Sequence, residues 1–310
     1  MKIKHIYYSL ISSLSFLGLF SYGQSTNKTD LVIFSYDRPL QLYAFLESCE
    51  RYVSGINQMH VVCRSSDRVF TEGYDEVQHR FPLCQFHYQS DTPHADFKLL
   101  TEQSITATNA PYILFAVDDI IIKDDIDLER CASLLETHKA YGFYFRLGLH
   151  LTDCYMLRKP QPLPPLIEVE PGVFSWQINQ GFGDWGYPNS VDLVLYRKSD
   201  IMTMFGLFSY RSPNTLEDQW HQQFARATGR LRGLCFATTK MINVPLNLVQ
   251  EEYRANRHMS SSYDTYALQE LFTANKKIDI APLERIFNKG AHMEYQFTFV
   301  DRNERCPTAH

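Results

Sequence analysis

Apolar positions in this chain follow two rhythms. Leu31 to Phe34 form an unbroken apolar run, as a strand covered on both faces requires, whereas Leu42, Phe45, Leu46, Cys49 and Val53 recur at the i, i+3, i+4, i+7, i+11 spacing of an amphipathic helix. The same reading predicts a strand at His60–Cys63, a helix over 97–108 ended by the Asn109-Ala110-Pro111 turn, and a buried strand over 112–117. This β-α-β-α-β succession implies a parallel sheet with right-handed crossovers. Ligands of such sheets bind beyond the carboxyl ends of the strands, where Asp37-Arg38 and Asp118-Asp119 fall. A proline-rich connection (159–165) and an aromatic, glycine-rich stretch (174–188) suggest a loop-heavy middle; a strand over 191–196 and helices over 216–228 and 267–274 follow. No repeat or long linker divides the chain, so one α/β domain over 30–302 is expected.

The N-terminus reads differently. Lys2, Lys4 and His5 precede an apolar run from Ile6 to Phe20 diluted by serines and ending in Ser21-Tyr22-Gly23-Gln24, the layout of a signal peptide over 1–23 or of an uncleaved membrane anchor. Either one predicts an exported or membrane-anchored protein, with membrane association through that segment.

The 310 residues are 45% hydrophobic and 21% charged, enough for a substantial core, and the formal net charge of -5 lacks the basic footprint of phosphate-backbone binding, so nucleic acid is excluded as a partner. The seven cysteines are scattered without a CxxC pair, which fits buried thiols better than a disulfide framework or a zinc site.

The strongest chemical signal is the apolar strand that ends in Asp118-Asp119. Two ionised carboxylates at a sheet edge are costly unless a cation or several donors compensate them, and hard oxygen ligands suit Mg²⁺ or Mn²⁺. The plainer reading is a strand end, with Asp124 or Asp125 capping a helix near Ile126. A second acidic pair, Glu217-Asp218, opens a predicted helix, where anions are also favoured by the helix dipole. Asn288-Lys289-Gly290-Ala291-His292 combines a flexible glycine with a Lys that can offset phosphate charge and a His that can bind a metal. Arg254–His258 reads as a solvated polar loop, and Trp176, Trp185 and Tyr187 as either sugar platforms or core.

In order, these segments resemble the GT-A glycosyltransferases, especially the inverting family 2 type. Val32-Ile33-Phe34-Ser35-Tyr36-Asp37-Arg38-Pro39 is similar to the strand and loop that hold base and ribose, Phe97-Lys98-Leu99-Leu100 to the basic residue and helix before the metal strand, and Ile113–Asp119 to the strand carrying the family's DxD motif, here a plain Asp-Asp. The resemblance implies a GT-A fold with a mostly parallel central sheet flanked by helices, a nucleotide-binding half over 30–125 and an acceptor-side half over 170–302. It further implies a nucleoside-diphosphate sugar donor held by Ser35, Tyr36, Asp37, Arg38, Lys98, Asp118 and Lys289. Mn²⁺ or Mg²⁺ would sit on Asp119, Asp118 and His292, and the base would be Glu217 or Asp218, of which Asp218 fits the family pattern slightly better. A glycan, lipid or protein would be the acceptor. The rival expectations are a nucleotidyl- or phosphotransferase on the same kind of sheet edge, and an exported nucleotide-sugar-binding protein without turnover.

Overall fold

The computed structural model describes residues 27–302 apart from 228, 250–251, 253–258, 260–262 and 285. The 1–23 segment, Arg254–His258 and Cys306 therefore lie outside the described residues. Among the described residues no helix is long and apolar enough to cross a membrane.

The centre is a nine-stranded sheet. Its strands are β1 (Thr29–Tyr36), β2 (Ile56–Arg64), β3 (Cys84–Tyr88), β4 (Tyr112–Val117), β5 (Gly142–Tyr144), β6 (Leu166–Glu170), β7 (Val173–Gln177), β8 (Val194–Arg197) and β9 (Arg232–Phe236). They lie in the order β6-β7-β9-β5-β8-β4-β1-β2-β3. Relative to β1, only β7 and β8 run in the opposite direction, so the sheet is mostly parallel. The chain steps from β1 outward to β3 and then returns to place β4 on the other side of β1. A switch point thus lies between β1 and β4, where such sheets open a ligand crevice.

Strand periodicity divides the core into two layers. Leu31 and Ile33 of β1, with Leu114 and Ala116 of β4, face the layer shared with α1 (Pro39–Tyr52), α2 (Arg68–Arg80), α4 (Leu128–Thr137) and α7 (Thr265–Thr273). Val32, Phe34, Ile113 and Phe115 face the layer of α3 (Pro93–Thr106), α5 (Lys198–Leu207) and α6 (Pro213–Ala227). Leu31, Val32 and Ile33 are wholly buried, each stabilising by about 2 kcal/mol.

Helix α1 buries Leu42, Phe45, Leu46 and Cys49 of the predicted stripe, while Val53 falls just past its end in a short extended segment and is half-buried; Pro39 stands at its first turn, where a missing N–H costs nothing. The sequence patterns pass over α2 and β3, because α2 buries only Phe70, Gly73, Tyr74 and Val77 among polar residues and β3 is a half-buried edge strand. The cap expected from Asp124 or Asp125 belongs instead to Asp127, whose carboxylate accepts from Arg130 N at 3.1 Å. Trp176 and Trp185 are core residues, packed edge to face at 5.0 Å. Gly233 is required beneath Trp176, since a Cβ there would meet the indole at 2.3 Å. All six described cysteines are free and buried, so burial pushes thiols such as Cys235 upward.

Candidate active site

A cavity of about 580 Å³ opens at the carboxyl ends of β1, β2 and β4. The turn after β1 builds its first wall. Asp37 adopts a φ of 53°, a left-handed conformation that Asp tolerates, and its carboxylate accepts from Ser66 N (2.8 Å) and Ser66 Oγ (2.6 Å). Burial raises its pKa, opposed by those bonds. The turn delivers Arg38 against the acidic pair: Nη1 donates to Asp118 Oδ1 at 2.9 Å and to Asp119 Oδ2 at 3.3 Å. Asn247 fixes the guanidinium from behind, accepting Nε at 2.9 Å on its side chain and Nη2 at 2.6 Å on its carbonyl.

The two carboxylates have different company. Asp118 is 2% exposed, and its Oδ2 accepts from Ser35 Oγ (2.8 Å) and Tyr36 N (3.2 Å), so both its oxygens are engaged by donors. Asp119 lines the cavity with Oδ1 buried and without a hydrogen-bond partner. Burial lifts its pKa to about 7, with Arg38 pulling it down and Asp118 and Asp192 pushing it up.

Strand pairing explains how His292 reaches this place from so late in the chain. Ile120–Ile122, directly after Asp119, pairs antiparallel with Met241–Asn243, and Asn243 in turn forms a bridge with His292. His292 Nε2 meets Asp192 Oδ2 at 3.2 Å, while its Nδ1 is buried and unpartnered. Burial alone would lower the His292 pKa, but the Asp192 bond and charge raise it; reciprocally, burial would raise Asp192, and His292 holds it low. Asp192 is aimed by its neighbour Leu193, held at φ 52° by bonds from Leu193 N to Phe115 O (2.9 Å) and from Phe145 N to Leu193 O (3.2 Å). That loop also starts the strand at Val194 rather than at Val191.

The far wall comes from the first turns of α6. Glu217 accepts from Val191 N at 2.6 Å through Oε1, and its Oε2 has the longer contact with Tyr187 Oη, 3.5 Å. Burial, then Asp192, raises its pKa to about 7 against the pull of Val191 N–H and Arg146. Asp218 is exposed at the cavity edge, 3.5 Å from Gln222 Nε2. Arg146, 2% exposed, balances this side through Asp184 Oδ1 at 3.3 Å and the carbonyls of Asp184 and Tyr187.

The cavity thus gathers Ser35, Tyr36, Arg38, Asp118, Asp119, Glu217, Asp218 and His292 from the sequence expectations. It leaves out three. Asp37 faces Ser66 in the turn. Lys98 bonds the carbonyls of Gly206 and Phe208 at the end of α5 and pairs with Glu102. Lys289 is exposed outside the cavity lining, and its contribution is its carbonyl, which accepts from Thr152 N and Asp153 N at 2.9 Å. Residues that the motifs do not single out also line it: Asp192, Asp184, Arg146, Arg64 over the Tyr36 ring at 4.2 Å, and Asn247. Arg146 and Asp192 each interrupt an apolar run, the one signal in the sequence that marks them.

Asp119 and His292 present unpartnered buried atoms that fit a divalent cation drawing most of its shell from phosphate and water. Asp118, fully engaged, does not fit that set. Among the described residues no group of three or more His, Cys, Asp or Glu forms a complete metal cage.

The sheet layout, its switch point and the acidic pair beside it define an α/β fold with a mostly parallel central sheet and a ligand crevice at its carboxyl edge. No protein-family model matches the chain. It is similar to the bifunctional glycosyltransferase pgtA of Dictyostelium discoideum, 25% identical over 202 residues that cover 59% of this chain and 26% of that protein. The chain thus spans about a quarter of the length of the curated relative it matches. Among solved structures it is similar to S. aureus TarS 1–349, at 13% identity and TM-score 0.45, covering 69% of this chain and 59% of that one. It is also similar to 4-diphosphocytidyl-2C-methyl-D-erythritol synthase of Anaerococcus prevotii, at 11% identity and TM-score 0.40, covering 80% and 97%.

Proposed function

We propose that this protein is a glycosyltransferase that moves a sugar from a nucleoside-diphosphate donor to an acceptor hydroxyl, with inversion. One observation carries the reading: an arginine-clamped acidic pair at the sheet's switch point shares one cavity with a half-buried carboxylate at the start of α6. The similarity to a named glycosyltransferase supports it. In this reading 30–125 binds the donor and 170–302 the acceptor, and the N-terminal segment exports or anchors the domain.

Asp118 with Ser35 and Arg38 forms the rigid floor for the donor's ribose side, and Asp119, with His292 beside it, would hold Mn²⁺ or Mg²⁺. The ion would offset charge on the diphosphate. Glu217 is the base. The carboxylate is fixed by Val191 N–H, with a long contact to Tyr187 and a side-chain bond from Ser190, and with a pKa of about 7 it stands ready to take the acceptor proton. The deprotonated hydroxyl oxygen attacks the anomeric carbon while the bond to the diphosphate breaks on the opposite face.

Donor binding is tested by thermal shift with a panel of nucleotide sugars, each with and without Mn²⁺. A nucleotide sugar at 100 times its Kd stabilises by about 2.7 kcal/mol, a rise of several degrees. Asp119→Ala should lose the Mn²⁺-dependent part of that rise. A panel without any shift contradicts the reading.

A further inference from the structure

We propose that the acceptor of this site carries an apolar aglycon, an alkyl or aryl group trailing from the reacting sugar head, an assignment that rests on the transfer activity above. The mouth of the cavity is edged by a hairpin in which Asp153–Cys154 pairs with Lys159–Pro160. Cys154 is buried and lines the cavity. Tyr155 anchors the tip: its ring stacks on His292 at 6.1 Å and its hydroxyl donates to Glu294 Oε1 at 3.2 Å. Arg158, at φ 51°, closes the turn with a bond from its N to Tyr155 O.

Between these fixed points stand Met156 and Leu157, 43% and 50% exposed, and both line the cavity. Phe182, 45% exposed, flanks Gly183, which packs against Cys154 in the same rim. No described element covers them. A well-anchored turn that holds two large apolar side chains in water, at the entrance of a site built for a hydroxyl, matches a ligand with a polar head and an apolar tail. Inside, Tyr187 and His221, stacked at 4.9 Å, offer the flat face on which a pyranose packs. The tail then leaves over Met156 and Leu157.

The test uses the whole protein and octyl β-glucoside below its micelle concentration, with methyl β-glucoside as the tailless control, read by saturation-transfer NMR titration. Octyl β-glucoside should bind at least about tenfold more tightly than the methyl compound, and Met156→Ser/Leu157→Ser should remove about that factor. Leu83→Ser/Leu207→Ser, on exposed leucines outside the cavity lining, should leave it unchanged. Both variants should keep the thermal shift with the nucleotide sugar. Equal binding of the two glucosides overturns the proposal, as does an alkyl preference that survives in M156S/L157S or disappears in L83S/L207S. Were nucleotide sugars to give no shift while the alkyl preference behaved as expected, the transfer reading would fall and the acceptor assignment with it, leaving an apolar mouth of another use.

Discussion

In the half of the sheet built from β1 to β4, site residues stand at the ends of parallel strands, and their charges are matched by residues at the ends of adjacent strands: Arg38 and Ser35 on Asp118, Ser66 on Asp37. In the half built from β5 to β9 the site residues sit on loops and at a helix start, and their charges are matched by partners that loop packing and a late strand bridge bring in. Asp192 meets His292, and Arg146 meets Asp184. The first half is a preformed cradle whose geometry follows from strand ends; the second is a tertiary network whose carboxylate Glu217 is left poised near neutrality.

That contrast can be broken most forcefully at Arg38. Arg38→Ala strands the buried Asp118 and the half-buried Asp119 without their cation, and should destabilise the fold by about 3–5 kcal/mol in denaturant unfolding. A loss below about 1 kcal/mol would mean that the pair is neutralised another way.

On the other side, Glu217→Gln should lower kcat by about 10²–10⁴ while leaving donor binding in place, with Asp218→Asn costing less than about tenfold. The reverse pattern would move the base to Asp218. The pH profile adds a sign. Glu217 accepts protons only when ionised, so kcat/KM should rise through pH about 7. Stability should move the opposite way. The folded pKa of Glu217 lies above its unfolded value, so its contribution is full below the ordinary carboxylate range and is lost as pH rises through about 7. Relative to wild type, E217Q should therefore gain stability as pH rises from 4.5 to about 7 and hold that gain above it, read as a smaller fall in Tm.

The smallest effect is expected at Lys98. Its ammonium serves the end of α5 rather than the cavity, so Lys98→Ala should change the donor KM by less than about twofold and cost about 1 kcal/mol of stability.

The two halves also differ in how plainly the sequence encodes them. The central strands are legible because double-sided burial leaves continuous apolar runs, and a turn beyond such a run is where polar side chains meet a ligand, so Ser35 to Arg38 and Asp118-Asp119 can be recognised as neighbours in space from the pattern alone. Lys98 misleads because a helix position near a motif says nothing about which way its side chain leans. Asp192 and Arg146 escape notice because a charge within an apolar run is meaningful only once its partner is known, and their partners, His292 and Asp184, arrive by strand pairing and loop packing. The long-range bridge of Asn243 to His292 is encoded in no local pattern.

Sugar transfer at the Asp118-Asp119 cradle is tested most directly by chromatographic product analysis after incubation with nucleotide sugars, Mn²⁺ and octyl glycoside acceptors. Nucleoside diphosphate should be released in step with a glycosylated acceptor, and Asp119→Ala should be slowed by at least about 10³-fold. Pyrophosphate as the released product, or an Asp119→Ala variant that turns over like wild type, would contradict transfer at this site.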